Sequence, residues 1–141
     1  MSRILKGLFK LARLDRPIGI WLIFWPALAT LLATTQGQDF AKNLLIIIIG
    51  SIVVRSLGCV INDIFDRNID SKVVRTKDRP IAAGQISVYE ALIFLLFLSL
   101  IAILILINTN FQTLLISLCF GLLIIIYPLM KRIFWGPQCF L

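Results

Sequence analysis

The chain has 141 residues, 60% of them hydrophobic and 15% charged, with a mean hydropathy of +0.98. Soluble domains are about half apolar and about a quarter charged. A water-soluble fold of this size has nowhere to put so much Ile and Leu, whereas a bilayer accepts apolar side chains on the outside of a bundle. The net charge is +7 and there is no His, which argues against His-ligated zinc, haem and non-haem iron. The basic residues are distributed as membrane-topology signals, so no nucleic-acid partner is read from them.

In chain order, residues 1–16 form a basic leader, and residues 17–141 form one transmembrane domain. In the leader, Arg3, Lys6, Lys10 and Arg13 recur at helical spacing, with Ile4, Leu8 and Leu11 on another face. That pattern predicts an amphipathic helix lying on an anionic leaflet. Four apolar runs follow: Pro17–Ala33, Leu44–Ile61 (interrupted by Arg55), Tyr89–Ile107 (with Glu90 at its mouth) and Phe111–Met130. Their lengths are 17, 18, 19 and 20 residues, and a helix crossing the hydrocarbon needs roughly 17–25. The expected fold is therefore all-α: a polytopic transmembrane bundle of four spans, with a fifth beginning near Phe134. Basic residues in the successive polar segments number 5, 1, 5, 0 and 2. The positive-inside rule then puts the N-terminus and the Asn62–Val88 loop in the cytoplasm. Cys59, Cys119 and Cys139 form no CxxC pair and read as small buried residues.

The chemistry concentrates after the second run. Four of the seven acidic residues, Asp63, Asp66, Asp70 and Asp78, lie in one short stretch. If the helix continues past Ile61, then Asn62, Asp66 and Asp70 recur every fourth residue. Asp63 lies three residues before Asp66, so all four oxygen-bearing side chains share one face. Arg55 lies seven residues before Asn62, on about the same side but deeper. Carboxylates stacked at this spacing repel one another and need a cation. Magnesium suits them, being a hard ion typically held by one or two carboxylates plus substrate phosphates. The basic loop beyond, with Arg75, Lys77 and Arg79, offers bidentate and point-charge partners for phosphate oxygens. The EF-hand spacing is missing, so calcium of that kind is excluded. Ionisable groups at a membrane edge are functional by default, although basic loop residues also serve as topology signals alone.

Asn62-Asp63-x-x-Asp66-x-x-x-Asp70 resembles the first aspartate-rich motif of the UbiA superfamily of intramembrane prenyltransferases. Four further stretches agree in order. They are Leu14-Asp-Arg16-Pro17-Ile-Gly19-Ile-Trp21 through Trp25-Pro26, then Arg55-x-x-Gly58-Cys59, then Arg75-Thr-Lys-Asp-Arg79-Pro80-Ile-Ala-Ala-Gly84, and Tyr127-Pro128-Leu-Met-Lys131-Arg132. The first of these is similar to the opening of the 4-hydroxybenzoate polyprenyltransferase branch. The likeness runs from about Leu11 to Leu141 and corresponds to the N-terminal half of such a bundle. The family's second aspartate motif lies beyond it, so the isolated chain is expected to be a fragment and inactive alone.

The resemblance implies transfer of a polyprenyl group from its diphosphate to the ring of 4-hydroxybenzoate, as in ubiquinone biosynthesis, with Mg2+ as cofactor. It implies Asn62, Asp63, Asp66 and Asp70 as metal ligands, with Asp66, Asp70 and Arg132 as catalytic residues. Substrate would be held by Arg16, Arg55, Asn62, Arg75, Arg79 and Lys131, with Arg16 and Arg132 on the acid's carboxylate. The implied setting is the inner membrane of a bacterium or mitochondrion, and the oligomeric state is left open. The alternatives are a sister prenyltransferase using a naphthoate, homogentisate or haem, and a non-catalytic truncated membrane protein. A transporter is disfavoured, because no repeat or broken-helix pair is visible.

Overall fold

A computed structural model describes residues 3–34 and 39–133, with backbone alone for residues 127–133. The described residues form five helices: α1 (Arg3–Leu11), α2 (Ile18–Thr34), α3 (Phe40–Asp70), α4 (Val88–Ile107) and α5 (Phe111–Ile133). No strand occurs among them. The four apolar runs map onto α2 to α5. By length and composition, α3 and α4 are long and apolar enough to cross a membrane, while Ile18–Thr34 and Phe111–Ile126 are apolar but shorter. The fifth span expected near Phe134 lies outside the described residues.

α3 is the axis of the fold. Its 31 residues carry both the apolar run and the whole aspartate motif on one uninterrupted helix. It ends at Asp70, where the Ser71 N–H bonds back to the Arg67 carbonyl and the chain turns away. α2 and α4 lie along it, and α1 and α5 touch it less extensively. Most large apolar side chains of α2, α4 and α5 face outward, including Leu22, Leu104 and Phe111. Such a surface suits lipid better than water.

The core sits at one end, where α1, α3, the 71–87 loop and α4 converge. Leu11, Val60, Ile81, Ile86, Ala91 and Leu98 are buried together there. α1 enters by a glycine: a Cβ on Gly7 would fall 2.7 Å from Cγ1 of Ile86. A side chain at that position would push Ile86 out of its place in the core, so hydrogen alone lets the leader close on the loop. Gly84 adopts a left-handed backbone, φ +64°, which suits glycine. Its carbonyl accepts a 3.2 Å bond from Nη2 of Arg3. The loop then feeds α4 through a capping box. The Ser87 hydroxyl accepts from the Glu90 N–H at 3.2 Å, and Oε2 of Glu90 accepts from the Ser87 N–H at 2.7 Å. Glu90 at the mouth of the third apolar run is thus a helix cap.

Two of the cysteines depart from expectation, and Cys139 lies outside the described residues. Cys59 is half-buried and Cys119 is exposed on the outer side of α5. A face turned to lipid tolerates a small thiol as readily as a core does.

Candidate functional site

The continuation of α3 past Ile61 puts Asp63, Asp66 and Asp70 on one buried face, at 2%, 5% and 6% exposure. Burying carboxylates is costly unless they are paired, and two arginines from distant segments pair Asp63 and Asp70. Nη1 of Arg79 lies 3.1 Å from Oδ1 of Asp63 and 2.7 Å from Oδ2 of Asp70. One cationic nitrogen therefore bridges two carboxylates two helical turns apart. Arg13 approaches Asp63 from the other side, with Nη2 3.3 Å from Oδ1 and 3.4 Å from Oδ2. Arg13 reaches it from a tight turn after α1, where its own φ is +57°. A non-glycine residue in that region costs of order 1–3 kcal/mol and persists only where its surroundings enforce it. The Thr76 hydroxyl donates to the Asp70 carbonyl at 3.2 Å and ties the start of the basic loop to the end of α3.

Beside this network lies a cavity of about 1070 Å³. Its wall has two characters. Ile23 of α2, Val54 of α3, and Phe120, Leu123 and Ile124 of α5 make an apolar side. Lys10, Arg13, Arg16, Arg55, Arg75 and Arg79 bring six basic side chains to the polar side, against three acidic ones, Asp15, Asp63 and Asp78. Asn62 also faces it. An amphiphile with an anionic head and an apolar tail matches that division of charge and surface.

The structure thus gathers Arg16, Arg55, Asn62, Arg75 and Arg79 around one cavity together with Asp63. It puts Asp66 and Asp70 on the buried face behind it. Lys131 and Arg132 are in the last turn of α5, and their side chains lie outside the described residues. Lys10 and Arg13 are cavity residues that sequence reasoning assigned to the leader as topology and anchoring charges. The available signal was the apolar pair Leu11-Ala12 just ahead of Arg13, which the structure buries.

Residues 23–141 match the UbiA prenyltransferase family. The chain belongs to the UbiA prenyltransferase family. It is 43% identical over 137 residues to a 4-hydroxybenzoate octaprenyltransferase of Shewanella loihica, covering 97% of this chain and 48% of the relative. It is 44% identical over 137 residues to the 4-hydroxybenzoate octaprenyltransferase of Hydrogenovibrio crunogenus, again covering 97% and 48%. A Shewanella denitrificans protein of the same description is 45% identical over 132 residues, covering 94% and 45%. The chain spans about half the length of the curated relatives it matches. No solved structure gives a significant match.

UbiA prenyltransferases generally use a divalent metal, and the chain's donors can be tested against one. Among the described residues no group of three or more His, Cys, Asp or Glu side chains is placed to hold a metal ion. Two carboxylates, Asp63 and Asp70, do converge on a single positive centre, the Arg79 nitrogen. Carboxylate oxygens in that number fit a hard cation that draws its remaining ligands from water and substrate phosphate.

Proposed function

We propose that this stretch of a UbiA-family protein supplies the aspartate and arginine side of a Mg2+-dependent site that moves a polyprenyl group from its diphosphate to the ring of 4-hydroxybenzoate. The observation that carries the reading is the cavity, apolar on one wall and lined by six basic side chains on the other, beside the buried aspartates. The shared description of the relatives supports the choice of acceptor.

On this reading, Asn62, Asp63, Asp66 and Asp70 furnish the oxygen ligands. Bound magnesium would offset negative charge developing on the departing diphosphate. Arg75, Arg79 and Lys131 hold phosphate oxygens, where preformed positive charge is worth most as the allylic C–O bond breaks. Arg16 and Arg132 hold the acceptor's carboxylate, so that the ring carbon beside the phenol faces the allylic carbon. Arg55 and Asn62 complete the substrate contacts. Val54, Phe120, Leu123 and Ile124 take the start of the tail and exclude water from the reacting carbon.

The setting we infer is a bacterial inner membrane, crossed by α2 to α5 as four spans with the N-terminus in the cytoplasm. The alternation of basic residues supports this topology. The exposed apolar faces of α2 and α5 support their membrane exposure. The leader, residues 1–16, lies along the cytoplasmic leaflet.

The test is binding in membranes. Polyprenyl diphosphate with Mg2+ is expected to protect α3 around Asp66 and Asp70 from cleavage or exchange, and radiolabelled 4-hydroxybenzoate is expected to bind in preference to homogentisate or a naphthoate. Protection that needs no divalent metal, or equal binding of the three acids, would count against the assignment.

A further inference from the structure

Arg55 is a guanidinium inside the apolar run of α3, and among the described residues it makes no hydrogen bond and no ion pair. Ionisable groups at such depth are expensive and ordinarily paired. This one lines the cavity, about two helical turns from Asn62. Across from it is Gly19 in the first turn of α2. A Cβ built on Gly19 would lie 2.8 Å from Nη2 of Arg55, and closer still to Nε and Cζ. The flat guanidinium therefore rests on bare helix backbone where any side chain would collide with it. The three atoms belong to the far end of an exposed, flexible side chain, so a methyl at position 19 is accommodated by turning the Arg55 guanidinium away from this seat.

We propose that Gly19 is a positioning residue, whose missing side chain is the seat that holds the Arg55 guanidinium at the cavity wall as a receptor for an anionic oxygen pair. The inference rests on the reading that the cavity receives anionic substrates, and adds to it which residue fixes the deep cation. A planar fork held against one face keeps its N–H donors in the plane of the cavity wall, the geometry that carboxylate and phosphate oxygens both accept. Arg55 stands roughly 10 Å along α3 from Asn62 and about 12 to 22 Å from the aspartates. An anion on it is thus distinct from one held beside Arg79. The ligand chemistry is shared by a carboxylate and a diphosphate, and the experiment separates them.

The purified 141-residue chain in nanodiscs is titrated with radiolabelled 4-hydroxybenzoate and, separately, with inorganic pyrophosphate. The variants are Gly19→Ala, Arg55→Lys, the double variant, and Gly50→Ala. Gly50 is a control because nothing lies within 4 Å of a Cβ built there. Gly19→Ala is expected to weaken one of the two anions about tenfold, with Gly50→Ala unchanged. The anion affected names the source. In the Arg55→Lys background, Gly19→Ala is expected to cost less than about twofold, because lysine has no planar fork to displace. Alanine is otherwise the better helix former. If Gly19→Ala aggregates, recovery of a monodisperse protein in the double variant supports the steric seat, and aggregation of both overturns it. Two binding results overturn the inference while leaving the cavity reading intact: Gly19→Ala binding both anions as wild type does, or an equal loss in the wild-type and Arg55→Lys backgrounds. A wild-type chain that binds neither anion overturns both.

Discussion

Arg13 and Asp63 are 50 positions apart, yet Nη2 of the arginine straddles the carboxylate at 3.3 and 3.4 Å. The contact ties the leader to the aspartate helix, and it comes from a residue with a left-handed backbone. Arg13→Ala should destabilise the fold by about 1–3 kcal/mol, since it strips a charged hydrogen bond from a buried acceptor. Arg13→Gly loses the same bond but fits the backbone, so it should be the more stable of the two by about 1 kcal/mol. Denaturant titration in detergent compares them. Equal stabilities would show that the left-handed turn carries no cost.

Arg79 is the only bond from the basic loop to both Asp63 and Asp70 among the described residues. Arg79→Gln should therefore release the 71–87 loop. Hydrogen exchange over residues 71–87 is predicted to rise at least about tenfold, equivalent to roughly 1.4 kcal/mol of local stability. Arg79→Lys keeps the charge and should sit between, because each carboxylate meets the same nitrogen and a point charge reproduces part of that. Unchanged exchange in Arg79→Gln would mean that the Thr76 and Arg3 hydrogen bonds and the Ile81 and Ile86 packing suffice to hold the loop.

Asp66→Asn with Asp70→Asn is predicted to abolish magnesium-dependent protection by a polyprenyl diphosphate, by removing carboxylate ligands while keeping size. Both residues are buried, so the comparison is made at a temperature where each variant is still folded. Wild-type protection in the double variant would place the metal elsewhere.

Glu90→Ala should lower thermal stability through loss of half the capping box on α4. Glu90→Gln retains an acceptor oxygen and should cost less. Thermal unfolding in detergent reads both, and ligand binding should be unaffected, because Glu90 does not line the large cavity.

In a cysteine-free background, single cysteines at Ser71 and Gln38 test the topology. A membrane-impermeant maleimide is expected to label Ser71 from the cytoplasmic side and Gln38 from the opposite side. Labelling of both from one side is incompatible with four spans.

The sequence made the helical order, the long α3 and the shared face of the aspartates legible, because each follows from periodicity and from charges at fixed intervals. It did not make the pairing legible. Arg79 read as a phosphate ligand, and the structure shows it bridging two aspartates, since a buried carboxylate without a ligand takes the nearest cation. Arg13 read as one charge in a basic leader, and only the turn after Leu11 and Ala12 delivers it to Asp63. The closeness of Gly7 to Ile86 and of Gly19 to Arg55 is invisible in a linear pattern, because a glycine in a helix carries no label for what crosses it. α2, at 17 residues, is shorter than the length at which composition alone argues for a crossing, so its place among the four proposed spans rests on the alternation of basic residues.

The unbroken length of α3 sets a height. Thirty-one residues of helix extend roughly 46 Å, against about 30 Å of hydrocarbon. A crossing helix of that length projects its aspartate end into the headgroup layer as a stiff post. One reactant of the proposed chemistry dissolves in oil and the other in water, and neither meets the other in bulk. A post anchored in one phase and ending in the other works as a ruler. It holds the charged groups at the depth where a tail still immersed in lipid can present its polar head, so the two solubilities meet at a fixed level instead of by chance.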